Sequence, residues 1–232
     1  MPRIILVTGA SRGIGHAAAK ALAGAGTHLI LIARTAGGLE EADDAVREAG
    51  GTATLVPLDL RDFDALDRLG ASLYERWGRL DGFFANAGVL GAITPLAHLE
   101  PKVFDELIAV NVTANWRLIR SLDPLLCRSE AGRVLFMTSG AARRPRPFWG
   151  GYAMTKAAVE SLALTYAAEC QDTTVRVNML NPGPVRTTMR ARAMPGEDPE
   201  TLPPPAALGP LIAQLLSPAC AKNGELFTFR AD

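Results

Sequence analysis

The sequence predicts an α/β fold: a doubly wound parallel sheet of about seven strands with helices on both faces, formed by a single domain over residues 1–232. Three observations support this prediction. Short runs rich in β-branched residues alternate with longer stretches in which Ala and Leu recur at helical spacing. A glycine-rich turn directly follows the first of these runs. The length of 232 residues suits one compact domain, and the chain has no internal repeat.

The first part of the chain alternates strictly between strands and helices. The predicted strands are Arg3–Val7, His28–Ala33, Ala53–Leu58 and Gly82–Ala85, because each is a short apolar run bounded by turn residues. The predicted helices between them are Gly13–Ala23, Leu39–Ala49 and Asp62–Trp77, because their apolar residues repeat with a helical period. Strands that alternate with helices in this way favour a parallel sheet.

The second part of the chain continues the alternation and then changes in composition. The predicted elements are a long helix at Lys102–Leu126, a strand at Arg133–Thr138, a helix at Tyr152–Cys170 and a strand at Val175–Leu180. Residues Asn181–Pro205 are rich in Pro, Arg and Met, and three consecutive prolines exclude a helix interior there. A short helix, Ala206–Leu216, and a strand, Glu225–Phe229, complete the fold. Right-handed crossovers would place the ligand crevice beyond the carboxyl ends of the strands.

Composition and charge exclude several classes of function. Lys plus Arg and Asp plus Glu both total 24, so the formal net charge is zero. Such a chain lacks the positive field that nucleic-acid and membrane-surface binding require, and we predict neither partner. Its apolar stretches near the amino terminus are far shorter than the roughly 20 residues of a membrane-spanning helix. Because no secretory pattern precedes the glycine turn, we expect a cytoplasmic protein.

The turn after the first predicted strand has the features of a phosphate-binding site. It reads Thr8-Gly9-Ala10-Ser11-Arg12-Gly13-Ile14-Gly15 and leads directly into a predicted helix. Glycines allow the backbone to approach a pyrophosphate, and a helix amino terminus supplies free N–H donors and a positive dipole end. A tight βα turn without a ligand is the alternative. The spacing, G-x-x-x-G-x-G, differs from the G-x-G-x-x-G of the general dinucleotide motif.

This spacing resembles the cofactor motif of the short-chain dehydrogenase/reductase family, and the resemblance extends over nearly the whole chain. The matching motifs are, in order, residues 8–15, Asp59-Leu60, Asn86-Ala87-Gly88, Asn111, Ser139, Tyr152 with Lys156, and Asn181-Pro182-Gly183-Pro184-Val185-Arg186-Thr187. Each motif alone is a weak signal, whereas all of them in the family's order are specific. The resemblance implies a Rossmann-type fold and an NAD(P)-dependent oxidoreductase that acts on a small-molecule carbonyl or secondary alcohol. It also implies a homodimer or a homotetramer.

The resemblance implies a catalytic tetrad of Asn111, Ser139, Tyr152 and Lys156. In the family, the tyrosine exchanges a proton with the substrate oxygen, the serine hydroxyl hydrogen-bonds that oxygen, and the asparagine helps to hold a water beside the lysine. Lys156 follows Tyr152 by four residues and therefore projects from the same helix face. Its ammonium is expected to lower the pKa of Tyr152 from the ordinary value of about 10 towards the working range.

The same motifs imply how the cofactor is held. The implied cofactor-binding residues are Gly9, Ser11, Arg12, Gly13, Ile14, Gly15, Asp59, Leu60, Asn86, Ala87, Gly88, Tyr152, Lys156, Pro182, Gly183, Val185 and Thr187. Proteins that prefer NAD have an acidic residue at the end of the second strand, about 20 residues past the turn. Here Ala33 occupies that position and Arg34 follows it. A guanidinium suits a 2′-phosphate, and in the family Arg12 often reaches the same phosphate. We therefore expect NADP(H) rather than NAD(H), with Arg34 as a further ligand; a solvated strand-end charge is the alternative for Arg34.

The substrate side is less well defined by the sequence. Residues 140–149 contain three arginines, which either orient an anionic substrate or are solvated, and the aromatic pair Phe148-Trp149. In the family this loop borders the pocket, and residues 186–208 occupy the position of the substrate lid. The candidate substrate residues are Ala141, Arg146, Trp149 and Met189. The three histidines form no metal-ligand pattern, so no metal site is predicted.

The sequence alone leaves three alternatives to a general carbonyl reductase. A reductase of 3-oxoacyl thioesters belongs to the same family, and the arginine-containing loop would suit its acidic carrier. A catalytically silent NADP-binding sensor or interaction protein is an alternative of another class, because a nucleotide-binding fold does not dictate catalysis. An epimerase or dehydratase of the longer sugar-nucleotide branch fits poorly, because that branch has a different glycine spacing and a larger carboxyl-terminal region.

Overall fold

The computed structural model describes residues 2–144 and 146–230. At its centre lies a sheet of seven parallel strands in the order β3-β2-β1-β4-β5-β6-β7. The strands are β1 Arg3–Thr8, β2 Thr27–Ala33, β3 Thr52–Pro57, β4 Gly82–Ala85, β5 Arg133–Met137, β6 Arg176–Asn181 and β7 Leu226–Thr228. The predicted doubly wound parallel sheet and its strands are confirmed.

Helices cover both faces of the sheet. They are α1 Gly13–Leu22, α2 Ala36–Glu48, α3 Phe63–Trp77, α4 Pro101–Leu107, α5 Ala114–Leu126, α6 Gly150–Glu169, α7 Thr188–Ala193 and α8 Gly209–Leu215. Helices α1, α2 and α8 pack on one face, and α3, α5 and α6 pack on the other. In β1, Ile4 and Leu6 face α3, α5 and α6, whereas Ile5 and Val7 face α1, α2 and α8. A strand buried on both faces needs a continuous apolar sequence, which explains the run Ile4–Val7.

Two elements differ from the sequence prediction. The predicted helix at 102–126 is divided, because a π-helical turn, Ile108–Thr113, separates α4 from α5. Such a turn adds one residue to the helix and is frequent at functional sites. The segment after β6 contains the short helix α7, which the composition of this segment does not predict. Thr187 caps it, since its hydroxyl accepts a hydrogen bond from Arg190 N at 3.1 Å.

Polar contacts fix α5 against α3. Arg117 Nη1 lies 2.5 Å from the Asp67 carboxylate, and the Arg117 guanidinium stacks 4.7 Å from the centre of the Phe63 ring. One turn further along, Gly70 N donates a hydrogen bond of 2.8 Å to Ser121 Oγ. These contacts set the rotation of α5 about its axis, and through it the orientation of the π-helical turn that precedes it.

The strand order places a crevice at the carboxyl ends of β1 and β4. The chain winds outward through β2 and β3 on one side of β1, and through β4 to β7 on the other. The loops that follow β1 and β4 therefore turn to opposite faces of the sheet and leave an opening between them. No helix among the described residues is long and apolar enough to span a membrane.

A buried carboxylate, Asp81, ties the elements together at the opposite, amino-terminal end of the strands. It accepts hydrogen bonds from Ile4 N at 2.9 Å and Ser129 Oγ at 2.6 Å, and Arg79 Nε lies 3.0 Å away. Burial alone raises the pKa of Asp81, but these hydrogen bonds and the positive charge of Arg79 outweigh it and lower the pKa below the ordinary value.

We expect Asp81→Asn to lower the free energy of unfolding by roughly 1–3 kcal/mol at neutral pH, because buried hydrogen-bond donors lose a charged acceptor. Since the folded-state pKa of Asp81 is lowered, its contribution is present above the unfolded-state pKa and is lost as the pH falls through the folded-state pKa. Urea unfolding between pH 7 and pH 3 checks both points. An equal loss of stability in acid for wild type and variant would contradict the assignment.

Candidate active site

A cleft of about 620 Å³ opens at the carboxyl ends of the strands. It runs from the turn after β1, past the ends of β4 and β5, to the segment after β6. The predicted site residues that line it are Gly9, Ser11, Arg12, Gly13, Ile14, Arg34, Asp59, Leu60, Asn86, Ala87, Gly88, Ser139, Trp149, Tyr152, Lys156, Pro182, Gly183, Val185, Thr187 and Met189. The structure thus brings together motifs that are far apart in the sequence.

The turn between β1 and α1 forms one end of the cleft. Gly9 has a positive φ of 68°, a conformation that L side chains rarely adopt. Gly15 is buried behind the turn rather than in the cleft, and a Cβ atom there would lie 2.2 Å from Gly9 O. Gly15 therefore has a packing role, because only glycine lets α1 approach the turn so closely. Its role as a cofactor contact stays a prediction. Asn86 Nδ2 donates a 2.9 Å hydrogen bond to Thr8 O and joins the turn to the end of β4.

The amino terminus of α1 faces this end of the cleft without a side-chain cap. Arg12 is the N-cap residue, and its side chain makes no capping hydrogen bond. The N–H groups of the first helical turn have no partner within a helix, and the helix dipole is positive at this end. Gly13 and Ile14 in this turn line the cleft. The arrangement can bind an anion such as a phosphate.

Two guanidinium groups, those of Arg12 and Arg34, line the same end of the cleft. Both side chains are exposed, and neither forms a hydrogen bond or salt bridge with the residues that the structure describes. Asp59 on the neighbouring loop is bound by Arg61 Nη2 at 2.6 Å. This hydrogen bond with Arg61 lowers the pKa of Asp59, and the positive charge of Arg34 contributes in the same direction.

Tyr152 and Lys156 lie on one face of α6 at the centre of the cleft, as their spacing predicts. Lys156 Nζ lies 5.7 Å from the centre of the Tyr152 ring and donates a 2.9 Å hydrogen bond to Met137 O at the end of β5. Ser139 follows β5 and shares a hydrogen bond with the Tyr152 hydroxyl. Trp149 packs edge-on against Tyr152, with 6.1 Å between ring centres.

Burial dominates the acid–base properties of this pair. It raises the pKa of Tyr152 to about 12, and the hydrogen bond with Ser139 opposes the rise only in part. It also lowers the pKa of Lys156 to about 8. The net shift of the Tyr152 pKa is therefore upward rather than the expected lowering, because the phenol is buried and the ammonium is bound to a backbone carbonyl.

Asn111 is fully buried behind the cleft, in the π-helical turn. Its Oδ1 accepts a 2.8 Å hydrogen bond from Val89 N, and its Nδ2 donates to Val89 O at 3.0 Å and to Thr155 Oγ1 at 2.9 Å. The side chain thus joins the loop after β4 to α6, the helix that carries Tyr152. Its role in a proton relay stays a prediction.

The part of the cleft that is predicted to bind the substrate is lined by Trp149 and by the segment after β6. Met189 in α7 lines the cleft, together with Arg190 and Arg192. Two ion pairs fasten this segment: Arg190 with Glu197 at 2.5 Å and Arg186 with Glu200 at 2.6 Å.

Two candidate substrate residues, Ala141 and Arg146, lie outside the cleft lining. Ala141 is part of the tight turn after Ser139, where its N–H bonds Ser139 Oγ at 3.2 Å, and Arg146 is exposed. Phe148 is also exposed and has a positive φ of 72°. Of the aromatic pair in this loop, therefore, Trp149 is the one that forms the wall.

One wall of the cleft is formed by residues that were not predicted from the sequence. It consists of Val89, Leu90, Gly91 and Ala92 after β4, and of Val103, Glu106 and Val110 from α4 and the π-helical turn. The position of residues 89–92 directly after the Asn86-Ala87-Gly88 motif is a signal that could have found them, because loops at strand carboxyl ends border the crevice. The contribution of α4 depends on packing and carries no such local signal.

Comparison with known proteins agrees with this geometry. The model of the short chain dehydrogenase family matches residues 3–198. The chain belongs to the short-chain dehydrogenase family. It is therefore an oxidoreductase by class, and the predicted family resemblance is confirmed. It is 39% identical to the uncharacterized oxidoreductase YciK of Escherichia coli K12, over 92% of this chain and 86% of that protein. It is 31% identical to the sepiapterin reductase of Chlorobaculum tepidum, over 94% and 92% of the two chains.

Solved structures of short-chain dehydrogenases superpose closely on this fold. The crystal structure of a provisionally assigned short-chain dehydrogenase from E. coli CFT073, in complex with NADPH, gives a TM-score of 0.92 at 39% identity and covers 97% of this chain and 95% of that one. A second structure, from Shigella flexneri and in complex with NADP, gives 0.92 at 38% identity, with 97% and 96% coverage. The single-domain Rossmann-type fold is thereby shown for this short-chain dehydrogenase.

Proposed function

We propose that this short-chain dehydrogenase is an NADPH-dependent carbonyl reductase, which in reverse oxidises a secondary alcohol. The observation that carries the proposal is the convergence of Ser139, Tyr152 and Lys156 in one cleft with a helix amino terminus that lacks a side-chain cap. Two guanidinium groups, which have no partner among the residues that the structure describes, line the same cleft. Ser139, Tyr152 and Lys156 can exchange a proton with a substrate oxygen. The helix amino terminus and the guanidinium groups can bind the phosphates of a dinucleotide.

The residues at the β1 end of the cleft fit NADP(H). The N–H groups of the first turn of α1 would hold the pyrophosphate, and Arg12 and Arg34 would hold the 2′-phosphate. No carboxylate at position 33 repels that phosphate, since Ala33 stands there. Two structural relatives were solved with NADP or NADPH, which supports the same choice.

The protein's own groups would protonate and orient the substrate. NADPH, when bound, supplies the hydride. Tyr152 would donate its proton to the oxygen of the substrate carbonyl, and the Ser139 hydroxyl would hydrogen-bond the same oxygen. The phenol is protonated at neutral pH, and its proton can move to the substrate oxygen because the alkoxide that forms there is a stronger base than the phenolate. Lys156, held by Met137 O at 2.9 Å, keeps a positive charge near the phenol that would favour the phenolate formed after donation. Asn111 would position the loop after β4 against α6.

The substrate would enter between Trp149 and the segment 186–208, which we propose as the lid. Its two ion pairs give it a defined position, and Met189 supplies an adaptable apolar contact. The arginine-containing loop gives no specific support for an acidic carrier: Arg143 is paired with Glu160 at 2.7 Å, and Arg146 lies outside the cleft. We therefore favour a small carbonyl compound over a 3-oxoacyl thioester on a carrier.

Exposed apolar side chains on α5 and α6 support the predicted homo-oligomer. Trp116 and Leu164 are more than two-fifths exposed. Burial of such residues in a subunit interface would remove apolar surface from water. A homodimer or homotetramer formed through these helices stays a prediction.

The test is NADPH consumption by the purified protein with a diketone, an aromatic aldehyde, a ketoester and a 3-oxoacyl thioester. We expect turnover of at least one small carbonyl compound, and loss of this turnover in Tyr152→Phe. Turnover of the thioester alone would favour the alternative reductase. Tight NADPH binding without any turnover would contradict the proposal and favour a silent NADP-binding sensor.

A further inference from the structure

A buried carboxylate outside the family motifs, Glu160, lies one helical turn beyond Lys156 on α6. Its Oε1 accepts a 2.8 Å hydrogen bond from Thr138 Oγ1, and its Oε2 accepts one of 2.7 Å from Arg143 Nε. Both carboxylate oxygens are thus engaged. A buried carboxylate is costly unless it is paired in this way, so the arrangement is a specific feature of the fold.

The two partners of Glu160 lie on either side of Ser139 in the sequence. Thr138 directly precedes Ser139, is buried, and donates its N–H to Leu180 O at 2.9 Å. Arg143 ends the tight helical turn Gly140–Ala142 that Ser139 begins. Glu160 therefore holds the chain immediately before and shortly after the serine that bonds Tyr152.

Helix α6 connects this carboxylate rigidly to the catalytic groups. Tyr152, Lys156 and Glu160 are spaced four residues apart and lie on one face of the helix. The hydrogen bonds of Glu160 therefore fix the segment around Ser139 relative to the phenol and ammonium. Displacements of about 1 Å between reacting groups are known to lower rates by large factors.

We infer that Glu160 is a positioning residue. Through its hydrogen bonds with Thr138 and Arg143, it holds Ser139 in position relative to Tyr152. The inference rests on the proposed function, in which Ser139 and Tyr152 act on the same substrate oxygen. Glu160 itself does not line the cleft. It acts on the reaction only through the placement of Ser139.

The first test is Glu160→Gln, which keeps the size and one acceptor oxygen but removes the carboxylate that pairs with Arg143. We expect kcat for carbonyl reduction to fall roughly tenfold to a hundredfold, with the Kd for NADPH within about twofold of wild type. Arg143→Gln should give part of the same loss of kcat. In the double variant, the fold-loss of kcat should be smaller than the product of the two single fold-losses, because both changes remove the same contact. Arg143→Lys, which retains the charge, should recover part of the activity.

The matched control is Asp81→Asn, in which a buried carboxylate that bonds a hydroxyl and an arginine is changed at the opposite end of the strands. It should lower the melting temperature without changing kcat per folded molecule. If Glu160→Gln behaves in the same way, its role is structural only and the inference is wrong.

A second readout is the pH profile of alcohol oxidation, which requires the deprotonated phenol. The hydrogen bond from Ser139 lowers the pKa of Tyr152, and Lys156 is the charged side chain that faces the ring in the described structure. If Ser139 is displaced, the acidic limb of the Glu160→Gln profile should move to higher pH. An unchanged limb together with an unchanged kcat would overturn the inference.

Failure of the proposed function can be distinguished from failure of this inference. If the wild-type protein turns over no carbonyl or alcohol, the proposed function fails. The placement of Ser139 is then determined by a crystal structure of Glu160→Gln. An unmoved Ser139 hydroxyl relative to Tyr152 would overturn the positioning role, and a displaced one would support it.

Discussion

Replacement of Tyr152 by Phe should lower kcat for carbonyl reduction by about 10²–10⁴-fold and leave the affinity for NADPH nearly unchanged. The change removes only the hydroxyl that bonds Ser139, whereas the ring keeps its packing against Trp149 and beneath Lys156. Steady-state kinetics with the best substrate of the panel, together with a fluorescence titration of NADPH, separates the two quantities.

The control for this change is Tyr74→Phe, because Tyr74 is an exposed residue of α3 outside the cleft. It should behave as wild type in both measurements. A Tyr152→Phe variant that retains kcat within a few-fold would refute the assignment of Tyr152 as the proton donor. Loss of NADPH binding in the same variant would show instead that the hydroxyl is needed to hold the cofactor.

Arg34→Asp should weaken NADPH binding by about 10² or more while changing NADH binding only slightly. The change removes a charge-assisted hydrogen bond to the 2′-phosphate, worth roughly 1.5–3 kcal/mol, and places a carboxylate where it repels that phosphate. The same carboxylate can accept a hydrogen bond from the 2′-hydroxyl of NADH. The ratio of kcat/KM for the two cofactors is the measurement.

Arg68→Asp is the matched control, because Arg68 is an exposed arginine on α3 that does not line the cleft. It carries the same change of charge and should leave the cofactor ratio unaltered. An equal loss of affinity for NADPH and NADH in Arg34→Asp would contradict a phosphate-specific role. A reversal of preference in Arg68→Asp would attribute the effect to overall charge.

The features that could be predicted from the sequence are those with a local cause. The glycine turn needs Gly9 for its positive φ, and the pairing of Tyr152 with Lys156 follows from helical spacing alone. The parallel sheet follows from apolar runs that alternate with helical periods. In each case residues close together in the sequence determine the structure, so the pattern is visible before folding.

The features that could not be predicted depend on contacts between distant segments. The hydrogen bonds of Glu160 join residues 17 and 22 positions apart, and those of Asn111 span 22 and 44 positions. The direction of the Tyr152 pKa shift cannot be predicted from the sequence for the same reason. Helical spacing indicates that Lys156 is near Tyr152, but it does not indicate how deeply the phenol is buried. The π-helical turn also lacks a local signature: its Ile, Val, Asn and Thr residues have low helix propensity, but this does not distinguish a π-helical turn from an α-helical one.

The π-helical turn at Ile108–Thr113 restricts how the length of the chain can change in this region. Because this turn accommodates one extra residue, deleting a residue there would convert it to a regular α-helix and would shift the remaining residues of the turn relative to the elements around them. Helix α5 would stay in place, because Arg117 and Ser121 bind it to α3. The side chain of Asn111 would then leave Val89 and Thr155. A single deletion in this helix should therefore be far more damaging than a deletion of several residues in an exposed loop, and natural variation in chain length should be sought elsewhere in the molecule.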